Sequence, residues 1–212
     1  MTKRLQIILD NILPCKVFAD IGCDHGYITK GVLDSKKCER AYFSDISKEC
    51  LKKAKTLLEE YESIGEAKGV QGNGFENIDY CDFALIAGMG GEEIISILEN
   101  SLFLPNILLL QPMKNVDKLR VYFVEKGYKI LKDFCFEDGK FYDLILCEQG
   151  KDSLTEEEII FGRSNLVLPY SKDFLQRLTL EKQTLNTLLE KELPKSRQEE
   201  ILTRLRIMEK YV

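Results

Sequence analysis

The chain has a single histidine, His25, among 212 residues, and none of its seven cysteines forms a CxxC pair. A multi-histidine metal centre is therefore excluded, and a cysteine-based zinc site has no support. The odd count and scatter of the cysteines (15, 23, 38, 50, 81, 135 and 147) argue for free thiols in a reducing compartment. No apolar run approaches the ~20 residues that a membrane-spanning helix needs. Residues 1–10 lack a signal-peptide core and a cleavage site. The expected location is cytoplasmic, with neither a membrane nor a metal among the partners and a monomer as the default state. There is no internal repeat and no low-complexity segment. The net charge of −5 leaves no overall basic footprint for a nucleic acid. Lys30, Lys36, Lys37, Arg40, Lys48, Lys52, Lys53 and Lys55 gather in one stretch, which reads first as a solvated helix face.

What is present suits one α/β domain with a modest appendage, since 44% of residues are apolar and 31% charged. Leu5, Ile8, Leu9 and Ile12 predict an amphipathic helix ended by Pro14. Strands are expected at 17–20, 41–46, 68–71, 82–87 and 106–111. Helices are expected at 28–34, after the Ser47 cap, at 92–100 and at 114–126. Residues 128–136 and 140–147 read as a terminal β-hairpin. This alternation predicts an α/β fold with a mostly parallel doubly wound sheet and an antiparallel edge, the Rossmann-like architecture of class I methyltransferases. From about residue 171 the pattern changes. Phe174, Leu178, Leu185 and Leu188, then Ile201, Leu202, Leu205 and Met208 beyond Pro194, predict a C-terminal two-helix hairpin. The expected division is a catalytic domain at 1–160 and a helical hairpin at 161–212.

The most informative segment is Val17-Phe18-Ala19-Asp20-Ile21-Gly22-Cys23-Asp24-His25-Gly26-Tyr27. A short apolar strand ends in an acid, and a glycine-punctuated turn leads into a helix. Glycine lets backbone approach a ligand closely. A dinucleotide fingerprint would read GxGxxG, and a pyrophosphate beside Asp20 and Asp24 would be repelled. The ammonium of an S-adenosylmethionine (SAM) amino-acid moiety would be stabilised by the same groups. Asp24 also reads as a helix N-cap, and both uses stay open. Asp45, at the tip of the second strand, is placed to accept hydrogen bonds from ribose hydroxyls. Asn73, in Gln71-Gly72-Asn73-Gly74, reads either as an adenine contact or as a turn asparagine in the left-handed region. With Gly22, Gly26, Ile46, Gly74, Ala87, Gly88, Met89 and Gly90, these residues form the expected cofactor site at the carboxyl ends of the strands. The Gly88-Met89-Gly90-Gly91 turn holds no side-chain base, which suits a nucleophile that needs no proton removed.

Ala19-Asp20-Ile21-Gly22-Cys23-Asp24-His25-Gly26-Tyr27, Ile86-Ala87-Gly88-Met89-Gly90-Gly91, Leu110-Gln111-Pro112 and Asp138-Gly139-Lys140-Phe141-Tyr142 resemble the bacterial tRNA (adenine-22-N1)-methyltransferase family. The resemblance spans nearly the whole chain. It implies SAM as methyl donor, a tRNA D-loop adenine as acceptor, and a C-terminal coiled-coil hairpin. Three positions depart from the family pattern: Met113 stands in place of asparagine, Asn73 in place of aspartate and Asp45 in place of glutamate. Candidates near the reaction centre are Asp24, His25 and Gln111, and candidates to flank an extruded base are Tyr27, Met89, Phe141 and Tyr142. The basic residues of the hairpin, Lys172, Arg177, Lys182, Lys191, Lys195, Arg197, Arg204, Arg206 and Lys210, would grip the tRNA backbone if they segregate to one face. Other readings are a small-molecule methyltransferase, a nicotinamide-dependent oxidoreductase and a non-catalytic RNA- or SAM-binding protein.

Overall fold

A computed structural model describes residues 1–212. The chain runs α1 (Lys3–Asp10), β1 (Cys15–Ile21), α2 (Tyr27–Asp34), β2 (Cys38–Asp45), α3 (Lys48–Leu57), α4 (Glu59–Ser63), β3 (Ala67–Gln71) and β4 (Phe83–Ala87). It continues with α5 (Gly91–Glu99), β5 (Ile107–Gln111), α6 (Val116–Glu125), β6 (Tyr128–Glu137), β7 (Phe141–Gln149), α7 (Glu156–Phe161), a 3-10 turn at Arg163–Leu166, α8 (Lys172–Leu189) and α9 (Lys195–Met208). The seven strands form one sheet ordered β3-β2-β1-β4-β5-β7-β6. The first five are parallel, and β7 runs antiparallel to both β5 and β6. The Rossmann-like α/β sheet with an antiparallel edge is thus confirmed.

Side chains alternate across each strand, so the central strands feed two cores. Ala19, Ile21, Ala84, Ile86, Leu108 and Leu110 face one layer of helices, and Phe18, Phe83, Leu85 and Leu109 face the other. The two layers are nearly equal, with 20 and 19 buried residues, which is why β4 and β5 read as unbroken apolar runs.

Two helices differ from the sequence reading for local reasons. The helix capped by Ser47 breaks at the buried Leu58, whose φ of −107° and ψ of 12° leave helical geometry, and α4 restarts beyond it. The helix expected from Lys114 begins at Val116, because Asn115 adopts φ 55° and the Lys114 carbonyl accepts a hydrogen bond from Gly91 N–H. The capped α7 was not foreseen; Thr155 and Glu158 cap it reciprocally.

α8 and α9 pack on each other and, through Phe174, Leu178 and Met208, on Cys135 and Phe161. Beside this contact lies a buried ionic cluster. Arg120 donates from Nε and Nη2 to Asp133 at 2.7 and 2.9 Å and from Nη1 to the Ile159 carbonyl. Arg177 of α8 pairs with Asp143 at 2.7 Å, and Asp143 lies 3.5 Å from Arg120. Each buried charge therefore has a partner, and removing one leaves the rest uncompensated. Arg120→Ala is expected to lower unfolding stability by about 3–5 kcal/mol in urea denaturation. A loss under about 1 kcal/mol would show that the cluster does not hold α6, α7 and the hairpin together.

Candidate active site

The chain order places β1 beside β4 while β2 and β3 extend one way and β5 the other, so the sheet reverses direction between β1 and β4. Open α/β sheets bind ligands in the crevice at that switch point, outside the carboxyl ends of the strands. A cleft of about 450 Å³ lies there. Asp20, Gly22, Asp24, His25, Tyr27, Asp45, Ile46, Asn73, Gly74, Ala87, Gly88 and Met89 line it.

Asp20 ends β1 with 5% of its surface exposed and accepts a hydrogen bond from Thr29 Oγ1 at 2.7 Å. Burial raises its carboxyl from 3.8 to about 6; the Thr29 bond opposes the rise, and the nearby Asp45 and Asp24 add to it. The following turn is held open by a second acid. Asp45 accepts from Asp24 N–H through Oδ2 (3.0 Å) and from Ser47 N–H through Oδ1 (2.8 Å), which fixes the turn after β1 to the tip of β2. Asp24 occupies the left-handed region at φ 50°, and its carboxylate lies 3.3 Å from His25 Nδ1. It does not cap α2: the cap is Gly26, which has no side chain to bond. Asn73 is not left-handed either; the next residue, Gly74, takes that geometry at φ 65°, and Ser44 Oγ donates to its carbonyl.

Gly22 shows why the turn needs glycine. A Cβ there would lie 2.3 Å from Met89 Cε, so the Met89 side chain reaches across the cleft floor from the opposite strand tip. Cys23 also borders the cleft, but burial, together with Asp20 and Asp45, pushes its thiol far above the ordinary range. It is a neutral thiol with no nucleophilic role.

Gly26, Gly90, Gln111, Phe141 and Tyr142 stand outside the cleft walls. Gly26 faces Ala54 and Leu58, where a Cβ would meet carbons at 3.1–3.2 Å, and Gly90 lies against Lys114. Gln111 is fully buried and accepts from Arg4 Nε at 2.7 Å. Tyr142 stacks on Phe136 with ring centres 5.5 Å apart and carries the Arg4 guanidinium over its face. Nothing places Phe141 at the cleft; neighbouring strand residues point to opposite faces of the sheet. Sequence reasoning missed Arg4 and Glu93 in the wall. The apolar pattern of α1 marked Leu5 and Ile8, which also line the cleft, and Arg4 is the basic residue beside them.

Comparison with known proteins agrees with this geometry. Residues 1–145 match the profile of a methyltransferase domain family, so the fold and cleft define a methyltransferase. A tRNA (adenine(22)-N(1))-methyltransferase of Bacillus subtilis is 30% identical over 201 residues, covering 90% of this chain and 84% of that protein. The structure of M. capricolum TrmK in complex with S-adenosyl-homocysteine superposes with a TM-score of 0.88 at 27% identity, covering 100% of this chain and 97% of that one. The B. subtilis m1A22 tRNA methyltransferase TrmK gives 0.85 at 26% identity, covering 99% and 97%. The chain belongs to the tRNA (adenine(22)-N(1))-methyltransferase family.

The raised Asp20 carboxyl makes the free protein pH-sensitive. Because folding raises this group above its ordinary 3.8, its stabilising contribution is complete below about pH 4 and is lost as pH rises through about 6. Asp20→Asn is expected to gain on the parent by roughly 2–3 kcal/mol between pH 4 and 7 in thermal unfolding of the ligand-free protein. A difference that does not change with pH would refute desolvation of Asp20.

Proposed function

We propose that the chain methylates N1 of adenine 22 in the D-loop of tRNA, with SAM as donor. The observation that carries this reading is the buried Asp20 in an acidic switch-point cleft of a chain belonging to the m1A22 family. The cleft suits SAM by its chemistry. Asp20 and Asp24 would hold the ammonium, Asp45 the ribose hydroxyls and Asn73 the adenine amine, with the 70%-exposed Ile46 as an apolar face for the ring. Gly22 and Gly88 would offer backbone at close range. When bound, SAM supplies an electrophilic methyl group on a cationic sulfonium.

The residues around the Gly88 turn exclude solvent and orient the acceptor; they need not remove a proton. Adenine N1 has a free lone pair, and the turn from Gly88 to Gly91 carries no basic side chain. Catalysis then rests on proximity and alignment. N1 lies on the Watson–Crick edge, so the target base must leave any pairing to be reached. Tyr27 stands at the cleft mouth with 55% of its surface exposed and its ring edge-on to His25 at 6.0 Å, a stacking platform for a base. The Asp24–His25 pair supplies polar contacts beside it. Gln111 contributes by holding Arg4.

The division into a catalytic unit at 1–160 and a hairpin at 161–212 matches the separate apolar cluster of α8 and α9. The hairpin cannot present all its basic residues to RNA. Arg177, Arg197, Arg204 and Lys210 are spent in ion pairs with Asp143, Glu200, Glu181 and Glu157, and Lys182 donates to the terminal carbonyl. Lys172, Lys191, Lys195 and Arg206 stay exposed and are the candidates for phosphate contact.

Unmodified tRNA incubated with the protein and methyl-labelled SAM should carry label at N1 of adenine 22, and a transcript with guanine at 22 should stay unlabelled. Label elsewhere, or none, would overturn the assignment. Replacing Lys191, Lys195 and Arg206 together with glutamate should raise the KM for tRNA at least tenfold at low salt with unchanged SAM affinity. An unaltered KM would remove the hairpin from the RNA interface.

A further inference from the structure

Arg4 is the one arginine or lysine on the cleft wall, facing a pocket that also holds Asp20, Asp24, Asp45 and Glu93. Three contacts fix it. Its main-chain N–H donates to Asp138 Oδ2 at 2.9 Å, its Nε donates to Gln111 Oε1 at 2.7 Å, and its guanidinium carbon lies 5.2 Å from the centre of the Tyr142 ring. The Gln111 oxygen is itself aimed, because its amide nitrogen donates to the Pro112 carbonyl and the Met113 sulfur. Nη1 and Nη2 make no hydrogen bond to the protein. Nη2 lies over the tip of β4, 3.3 Å from where a Cβ on Gly88 would stand. A held guanidinium with an open end is a receptor for an oxyanion, which it takes with two parallel N–H donors.

We propose that Arg4 is the carboxylate receptor of the cleft and binds the α-carboxylate of the SAM amino-acid moiety. The proposal rests on the reading of the cleft as a SAM site. The charge pattern favours this occupant over an RNA phosphate. An amino-acid zwitterion brings a cation for the acids and an anion for Arg4, whereas a phosphate would bring only negative charge to a wall with four carboxylates. Gln111 is then a positioning residue, which accounts for a buried carboxamide at the end of β5 that touches no part of the cavity.

The test is calorimetric titration of the full chain with S-adenosylhomocysteine and with its decarboxylated counterpart, which keeps the amine and the adenosine. Arg4→Ala should weaken S-adenosylhomocysteine about ten- to one hundredfold and leave the decarboxylated ligand at parental affinity. Arg4→Lys, which keeps the charge without the fork, should recover part of the loss. Equal loss for both ligands, or no loss for either, overturns the proposal. So does a change confined to the KM for tRNA, which would move Arg4 to the acceptor. If the parent protein binds neither ligand, the SAM reading itself fails, and that result is distinct from all of these.

Discussion

A carboxylate buried at the end of β1 without a countercharge is the constraint around which the site is arranged. Asp20 receives one hydroxyl, from Thr29, and sits among other acids, so water has been withdrawn from it and nothing cationic has been given back. Such a group is costly in the free protein. The cost persists because it falls at the sheet's switch point, where strand order opens a crevice that a cationic ligand can fill. The tip of β2 is enlisted to keep the geometry. Both oxygens of Asp45 accept backbone N–H groups, so the acid-lined turn after β1 holds its shape before any ligand arrives.

The opposite treatment of charge, some way along the same chain, shows that this lack is specific to the cleft. Arg120, Asp133, Asp143 and Arg177 are as deeply buried or nearly so, yet each is paired, and Arg120 also satisfies a carbonyl of α7. Those groups join β6, β7, α6 and α8 into one body; buried ions with partners lock geometry rather than attract ligands. One fold thus uses buried charge in two ways, compensated where elements must be joined and uncompensated where a cation is to be held.

Much of the fold was legible because local signals and burial agree. Pro14, Ser47 and the glycine turns sit at element ends, and β4 and β5 read as continuous apolar runs because they are covered on both faces. The break at Leu58 and the late start of α6 were not legible, since each depends on a tertiary contact: a leucine drawn into the core, and a carbonyl bound by Gly91. The same distinction runs through the site. Residues on the turns after β1, β2, β3 and β4 were readable because the sheet's chirality and order put those turns at one edge. Gln111 carries the right chemistry at the right strand end but points into the core, and the pleat alone cannot say which side chain turns inward. Arg4 lies more than one hundred residues from Gln111 and Asp138, so no local motif could mark it.

The turn after β4 completes the argument, because its lack of functional side chains is matched by its rigidity. Gly88 N–H donates to the Gln111 carbonyl, Gly91 N–H to the Lys114 carbonyl, and Met113 N–H to the Met89 carbonyl, so this turn is zipped to the one after β5 along its length. A Cβ at Gly91 would stand 2.4 Å from the Asn115 carbonyl oxygen, so the close fit of the two turns requires glycine. A loop built this way cannot carry a general base, and it cannot move far. What it can do is hold Met89 across Gly22 and leave a fixed apolar wall beside the acids. For an acceptor that arrives with its own lone pair, as in the proposed reaction, a fixed wall is the more useful property, since alignment is then the main barrier to overcome.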